Sequence, residues 1–139
     1  MCNMKKGGHI VFRATCAIGM ILAAAIIAVS CMLPLKLIKE LNEQVAPLAQ
    51  KALELVLEER NKEALDRISE IKAALDAKKS KLMMLFGHDR VAVLCCAAET
   101  AFELAMAGDK AQLITELTAI INECEFMLYA NEPGIENLF

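Results

Sequence analysis

Cys95, Cys96 and Cys124, with His88 seven residues before Cys95, are the residue types that ligate metals, form disulfides or act as thiol nucleophiles. With a turn centred near Gly108, Cys95 and Cys96 lie 12 to 13 residues before it and Cys124 lies 16 after it. Antiparallel packing of the two flanking segments brings them to similar heights. Cys95 or Cys96 is therefore a geometric candidate for a disulfide with Cys124, given an oxidising compartment and Cα atoms within about 7 Å. The competing reading is cysteine as a small core hydrophobe, and it is preferred. A zinc site completed by His88 is weakly motivated, because structural sites use paired ligands such as Cys-x-x-Cys, whereas adjacent cysteines on a helix point in different directions. His88 is expected instead to cap or hinge the turn, its ring bonding the backbone there.

Glu99 and Glu103 stand four apart, a spacing at which two carboxylates share a helix face and can divide acid and base roles. Without a cleft they read as a solvated face. There is no glycine-rich phosphate loop and no serine flanked by glycines, and His9 and His88 are the only imidazoles. A non-enzymatic protein is expected, with no catalytic, cofactor-binding or metal residue assigned and no cofactor.

The segments that would position these residues are helical. Beyond residue 36, Ala, Leu, Glu and Lys dominate and strand formers are sparse. Ile38, Leu41, Val45, Leu48, Ala52 and Leu55 recur at three and four, with a kink or restart expected at Pro47. A second stripe runs Leu65, Ile68, Ile71, Leu75, Leu82 and Phe86, from an N-cap at Asn61, and is broken by Lys72 and Lys79. Gly87-His88-Asp89 is read as ending it and capping the next. The third carries Val91, Leu94, Ala98, Ala101 or Phe102, and Ala105; Gly108 suits its C-terminus and Asp109 the following N-cap. The fourth carries Leu113, Leu117, Ile120, Cys124 and Met127, and Pro133-Gly134 closes it. Short turns between such helices favour antiparallel neighbours, as a four-helix bundle or two stacked helical hairpins. A closed bundle is preferred, since two helix pairs fall short of a solenoid.

Composition explains what precedes the bundle. Apolar residues make up 57% of the 139, above the roughly 45–50% of soluble domains, and in residues 14–35 they number 18 of 22 with no charge. Such a helix extends about 33 Å, enough for a hydrocarbon core. Three parts are expected: a basic tail over 1–13, a transmembrane helix over 14–35 and an extracytoplasmic helical domain over 36–139. Lys5, Lys6 and Arg13 before the span, against Lys36 and Lys39 after it, favour a cytoplasmic N-terminus in the cytoplasmic membrane. Met4-Lys5-Lys6 also reads as a translation start. An ordinary signal peptide is disfavoured by the length of the apolar run and by its mid-span small-residue patch, Ala23-Ala24-Ala25. The alternative is a lipoprotein signal at Ala28-Val29-Ser30-Cys31, which would tether a small-ligand-binding domain through Cys31.

The net charge of −3 and the lack of basic clusters interleaved with aromatics exclude a nucleic-acid binder, and Gly plus Pro total only nine residues, which excludes disorder or collagen. Residues 36–81 hold ten Lys/Arg against nine Asp/Glu, whereas 82–139 hold two against nine. The acidic half reads as a solvated face, a dock for a basic partner, or a surface repelled by an anionic leaflet.

The layout, with Leu85-Phe86-Gly87-His88-Asp89 in the middle turn and Pro133-Gly134-Ile135-Glu136-Asn137-Leu138-Phe139 at the end, resembles domain-of-unknown-function family 4363 of spore-forming Firmicutes. The resemblance spans about Met4 to Phe139, although this chain lacks the tryptophan that members often carry in the second helix. It implies a small single-pass anchored protein without assigned catalytic residues, whose partners are the lipid bilayer and another membrane protein of the YetF-like kind. After Pro133-Gly134, Ile135, Leu138 and Phe139 are expected to fold back as a clasp; a tail inserted into a partner's groove is the alternative.

Overall fold

The computed structural model describes residues 5–131, and the side chains among them except those of 5–14, 31 and 131. The proposed clasp, Cys2 and the side chains of His9 and Cys31 lie outside the described residues. Four helices follow one another: α1 (Lys5–Leu57), α2 (Asn61–Phe86), α3 (His88–Ala107) and α4 (Lys110–Asn131). No strand occurs among the described residues. The chain divides into two compact units at the Leu33/Pro34 junction.

In the first unit, the large apolar side chains of Ile18, Met20, Ile21, Leu22, Ile26, Ile27 and Val29 are all exposed, each at least 56%. The second unit is an antiparallel helical bundle around one cluster to which all four helices contribute. The connectors 58–60 and 108–109 lie at one end; Gly87 and Pro34 lie at the other, because each helix reverses the last. α2 packs along α3 and α3 along α4. The α1 to α2 register is marked by Lys78 Nζ donating to Gln44 Oε1 at 3.1 Å.

Pro47 neither ends nor restarts a helix, and Pro34 likewise sits inside α1. A proline leaves the carbonyl four residues back without its donor. Here Pro47 and Glu43 are both on an exposed face, while Val45, Ala46 and Ala49 hold the opposite face in the core. The expected N-cap of α2 also shifts: Arg60 occupies that position without a side-chain cap bond, and Asn61 is the first helical residue.

The α1 C-terminus closes as a Schellman motif, Arg60 N–H bonding the Leu55 carbonyl at 2.9 Å and Glu59 N–H the Val56 carbonyl at 3.2 Å. The left-handed residue this motif requires is Glu59, with φ 63°. A side chain there is strained, and glycine is not. Glu59→Gly is expected to raise stability by about 0.5–1 kcal/mol in thermal unfolding of the full chain, since the Lys110 ion pair it loses is exposed. At the α3 end the same slot holds Gly108, φ 76°, and Asp109 Oδ1 caps α4 by accepting from Gln112 N–H at 3.1 Å, as its sequence position implies.

Gly87 alone joins α2 to α3, at φ 80° and ψ 155°, a region open essentially to glycine. His88 and Asp89 are not connector residues but the first turn of α3, whose N-terminus has no side-chain cap.

Candidate membrane segment and bundle surfaces

One helix among the described residues is long and apolar enough to cross a membrane, with mean hydropathy 2.6 in its best window and none of that window buried. Its composition explains the exposure: Ile, Leu, Val and Ala on every side leave no polar face for water and no amphipathic stripe to pack on a core. This accounts for much of the apolar surplus in composition.

Within the bundle the cysteines separate. Cys124 is buried in the core, Cys95 is half-buried beside Lys72, Leu75 and Asp76 of α2, and Cys96 is exposed; these three and Cys16 are free thiols. Adjacent positions on α3 thus face different surroundings, and Cys95 is turned toward α2. Burial pushes the Cys124 thiol up to about 12, helped by Glu123 and Glu125. Burial also raises Cys95, opposed by Lys79. Both shifts hold the neutral thiol, opposite to what activates a nucleophile.

The Cys124 shift has a pH consequence. Its folded value lies above the ordinary 9.0 of the unfolded chain, so its contribution is complete below pH 9 and is lost as pH rises from about 9 toward 12. The loss is about 1.4 kcal/mol per unit across that window. Urea unfolding at pH 8 and pH 10 is expected to show a smaller drop in Cys124→Ala than in the unsubstituted chain; equal drops would contradict it.

His88 is exposed, and no group of three or more His, Cys, Asp or Glu converges among the described residues. Glu103 is exposed, whereas Glu99 is engaged: Lys72 Nζ lies 2.7 Å from its carboxylate and 4.3 Å above the Phe102 ring. The same device recurs one helix later, with Arg90 3.3 Å from Glu123 and 4.3 Å above Phe126. A cation on one helix is thus held by an acid and an aromatic three residues apart on the next. The repeated spacing, Glu99-x-x-Phe102 and Glu123-x-x-Phe126, is the signal the sequence carries for it, and along α2 alone Lys72 is only a break in a stripe. The half-buried Lys72 gains ion-pair and cation–π attraction together, more than an exposed pair alone.

Two cavities lie at opposite ends of the bundle. One of about 280 Å³ lies between the connectors, lined by Val56, Glu59, Asn61, Ala64, Lys110 and Leu113 among others. The other, about 350 Å³, is lined by Leu85, Phe86, Arg90, Phe126, Met127 and Ala130. Each is at the small limit of ligand sites. The titratable groups lining them are the Glu59–Lys110 ion pair in the first and Arg90, paired with Glu123, in the second. No family model matches the chain, and neither a curated protein nor a solved structure matches it significantly.

Proposed function

We propose that this chain is a non-enzymatic interaction module anchored by a single membrane span, its N-terminus in the cytoplasm and its helical bundle outside, working with another membrane protein. The observation that supports it most is the pairing of two dissimilar surfaces. Residues 15–33 of the first unit form an exposed apolar helix segment without charge, while the second unit has its own core and charged faces. An apolar stretch of this length is satisfied by lipid, and a bundle whose described residues bring together no acid, base and nucleophile is suited to recognition. The resemblance in layout to a family of anchored helical proteins points the same way.

Site-specific photocrosslinking from the bundle surface in native membranes is expected to yield a discrete adduct with another membrane protein; monomer alone overturns the partner reading. Orientation is read from a variant retaining only Cys96, which is exposed. It is expected to react with a membrane-impermeant maleimide in intact cells, and reaction only after lysis overturns the topology. An intact mass beginning at a lipid-modified Cys31 would replace the anchor by the lipoprotein alternative.

A further inference from the structure

Exposed apolar side chains are unevenly placed on the bundle. Met84, Leu85, Phe126 and Tyr129 are exposed, Met84 by 82% and Tyr129 by 62%, and all lie at the end where Pro34 enters the unit. The registers fix this. Gln44 opposite Lys78 sets Leu85 within a turn of Leu37, and Arg90 beneath Phe126 sets Tyr129 near Gly87. Leu37 is only three residues, about 4.5 Å of helix, from Pro34. The connector end exposes only Leu57 and Met106 among large apolar side chains.

Charge is polarised along the same axis. Near Pro34, Lys36, Lys39, Lys81 and Arg90 balance Glu40, Asp89, Glu123 and Glu125. At the connector end Arg60, Lys62 and Lys110 face seven acids over 54–63 and 103–116. The end bearing apolar and aromatic side chains is neutral, and the far end is acidic.

Resting on the anchored reading above, we propose that the Pro34 end of the bundle is a bilayer-contacting rim, with Met84, Leu85, Phe126 and Tyr129 seated in the interfacial layer of the membrane crossed by residues 14–35. Proximity follows from the sequence: the uncharged stretch ends at Leu35, and Leu37, beside Leu85, is two residues, about 3 Å of helix, beyond it. The interfacial layer is several ångströms deep on each side and favours tyrosine and other amphipathic rings. The balanced charge of this end avoids repulsion from anionic lipid, which the acidic end would meet.

The chain has no tryptophan, so each introduced one is a sole reporter. Ile26→Trp, Tyr129→Trp and Met106→Trp of the full chain are reconstituted separately in phosphatidylcholine–phosphatidylglycerol vesicles containing lipid brominated near the headgroup or mid-chain. The Tyr129→Trp emission is expected to be blue-shifted and largely quenched by the shallow bromine, with Met106→Trp unquenched and Ile26→Trp quenched by the deep bromine. Quenching at Ile26 without quenching at Tyr129 overturns the rim alone, whereas no quenching at Ile26 overturns the anchor and the rim together. A blue shift at Tyr129 without quenching assigns the rim to protein and overturns the proposal; dependence on protein-to-lipid ratio then identifies a second copy, and independence identifies residues 132–139.

Discussion

The double substitution Ala24→Arg, Ile27→Arg is expected to move the protein from the membrane pellet to the soluble fraction after alkaline carbonate extraction. Both positions lie centrally within residues 15–33, where seven Ile, Leu and Val residues each favour insertion by about 0.3–0.6 kcal/mol. Together these give about 2–4 kcal/mol. Each central arginine costs about 2.5–3.5 kcal/mol on the same scale, so the pair reverses the sign. The bundle has its own core, so helical content by circular dichroism is expected to persist. Full retention of the double variant in carbonate-washed membranes would show that residues 15–33 do not hold the chain there.

Leu117→Ala is expected to cost about 2–5 kcal/mol, because Leu117 is fully buried at the middle of the α4 stripe and its loss leaves a cavity as well as removing transfer energy. Against a typical total of about 5–15 kcal/mol this is a large fraction. For a unit of about 100 residues each kcal/mol shifts Tm by about 4–8 °C, so a fall of at least about 8 °C is anticipated in detergent-solubilised full chain. Val93→Ala, at an exposed position of α3, serves as the comparison and is expected to stay within about 0.5 kcal/mol. Equal shifts in the two variants would mean that α4 does not present this face to the core.

The residues that set these effects differ in how legible they were. All five α4 positions read from the sequence, Leu113, Leu117, Ile120, Cys124 and Met127, are buried, as are Val91, Leu94, Ala98 and Ala101 of α3. The α4 residues are large, so apolar spacing alone decides there; in α3 the spacing leaves Ala101 and Phe102 open, and Phe102 and Ala105 are only half-buried. In α1 and α2 alanine blurs the pattern. Ala49 and Ala64 take inward positions, leaving Leu48 and Leu65 half-buried. Alanine carries little hydrophobic signal, yet its small size permits close backbone approach, and only the facing helix reveals that.

Pro47 does not restart the helix: the rule weighs a lost donor, whereas this proline lies on an exposed face of a helix whose opposite face is held in the core. The cysteines illustrate the remaining gap. Spacing along α3 and α4 brings Cys95 and Cys124 to similar heights, but angular position about the helix axis decides which surface each thiol meets. The paired cation, acid and aromatic sets of Lys72 and Arg90 depend on two helices at once. No single amphipathic stripe encodes them.

The connectors 58–60, Gly87 and 108–109 span three, one and two residues, and the extensively packed pairs, α2 with α3 and α3 with α4, are neighbours in sequence. Closing such short loops costs little entropy, and topologies dominated by local contacts fold in microseconds to milliseconds. Ribosomes add only about 5–20 residues per second. α3 therefore finds α2 long before α4 exists. The bundle is expected to be assembled in step with synthesis, its apolar faces hidden almost as soon as they emerge.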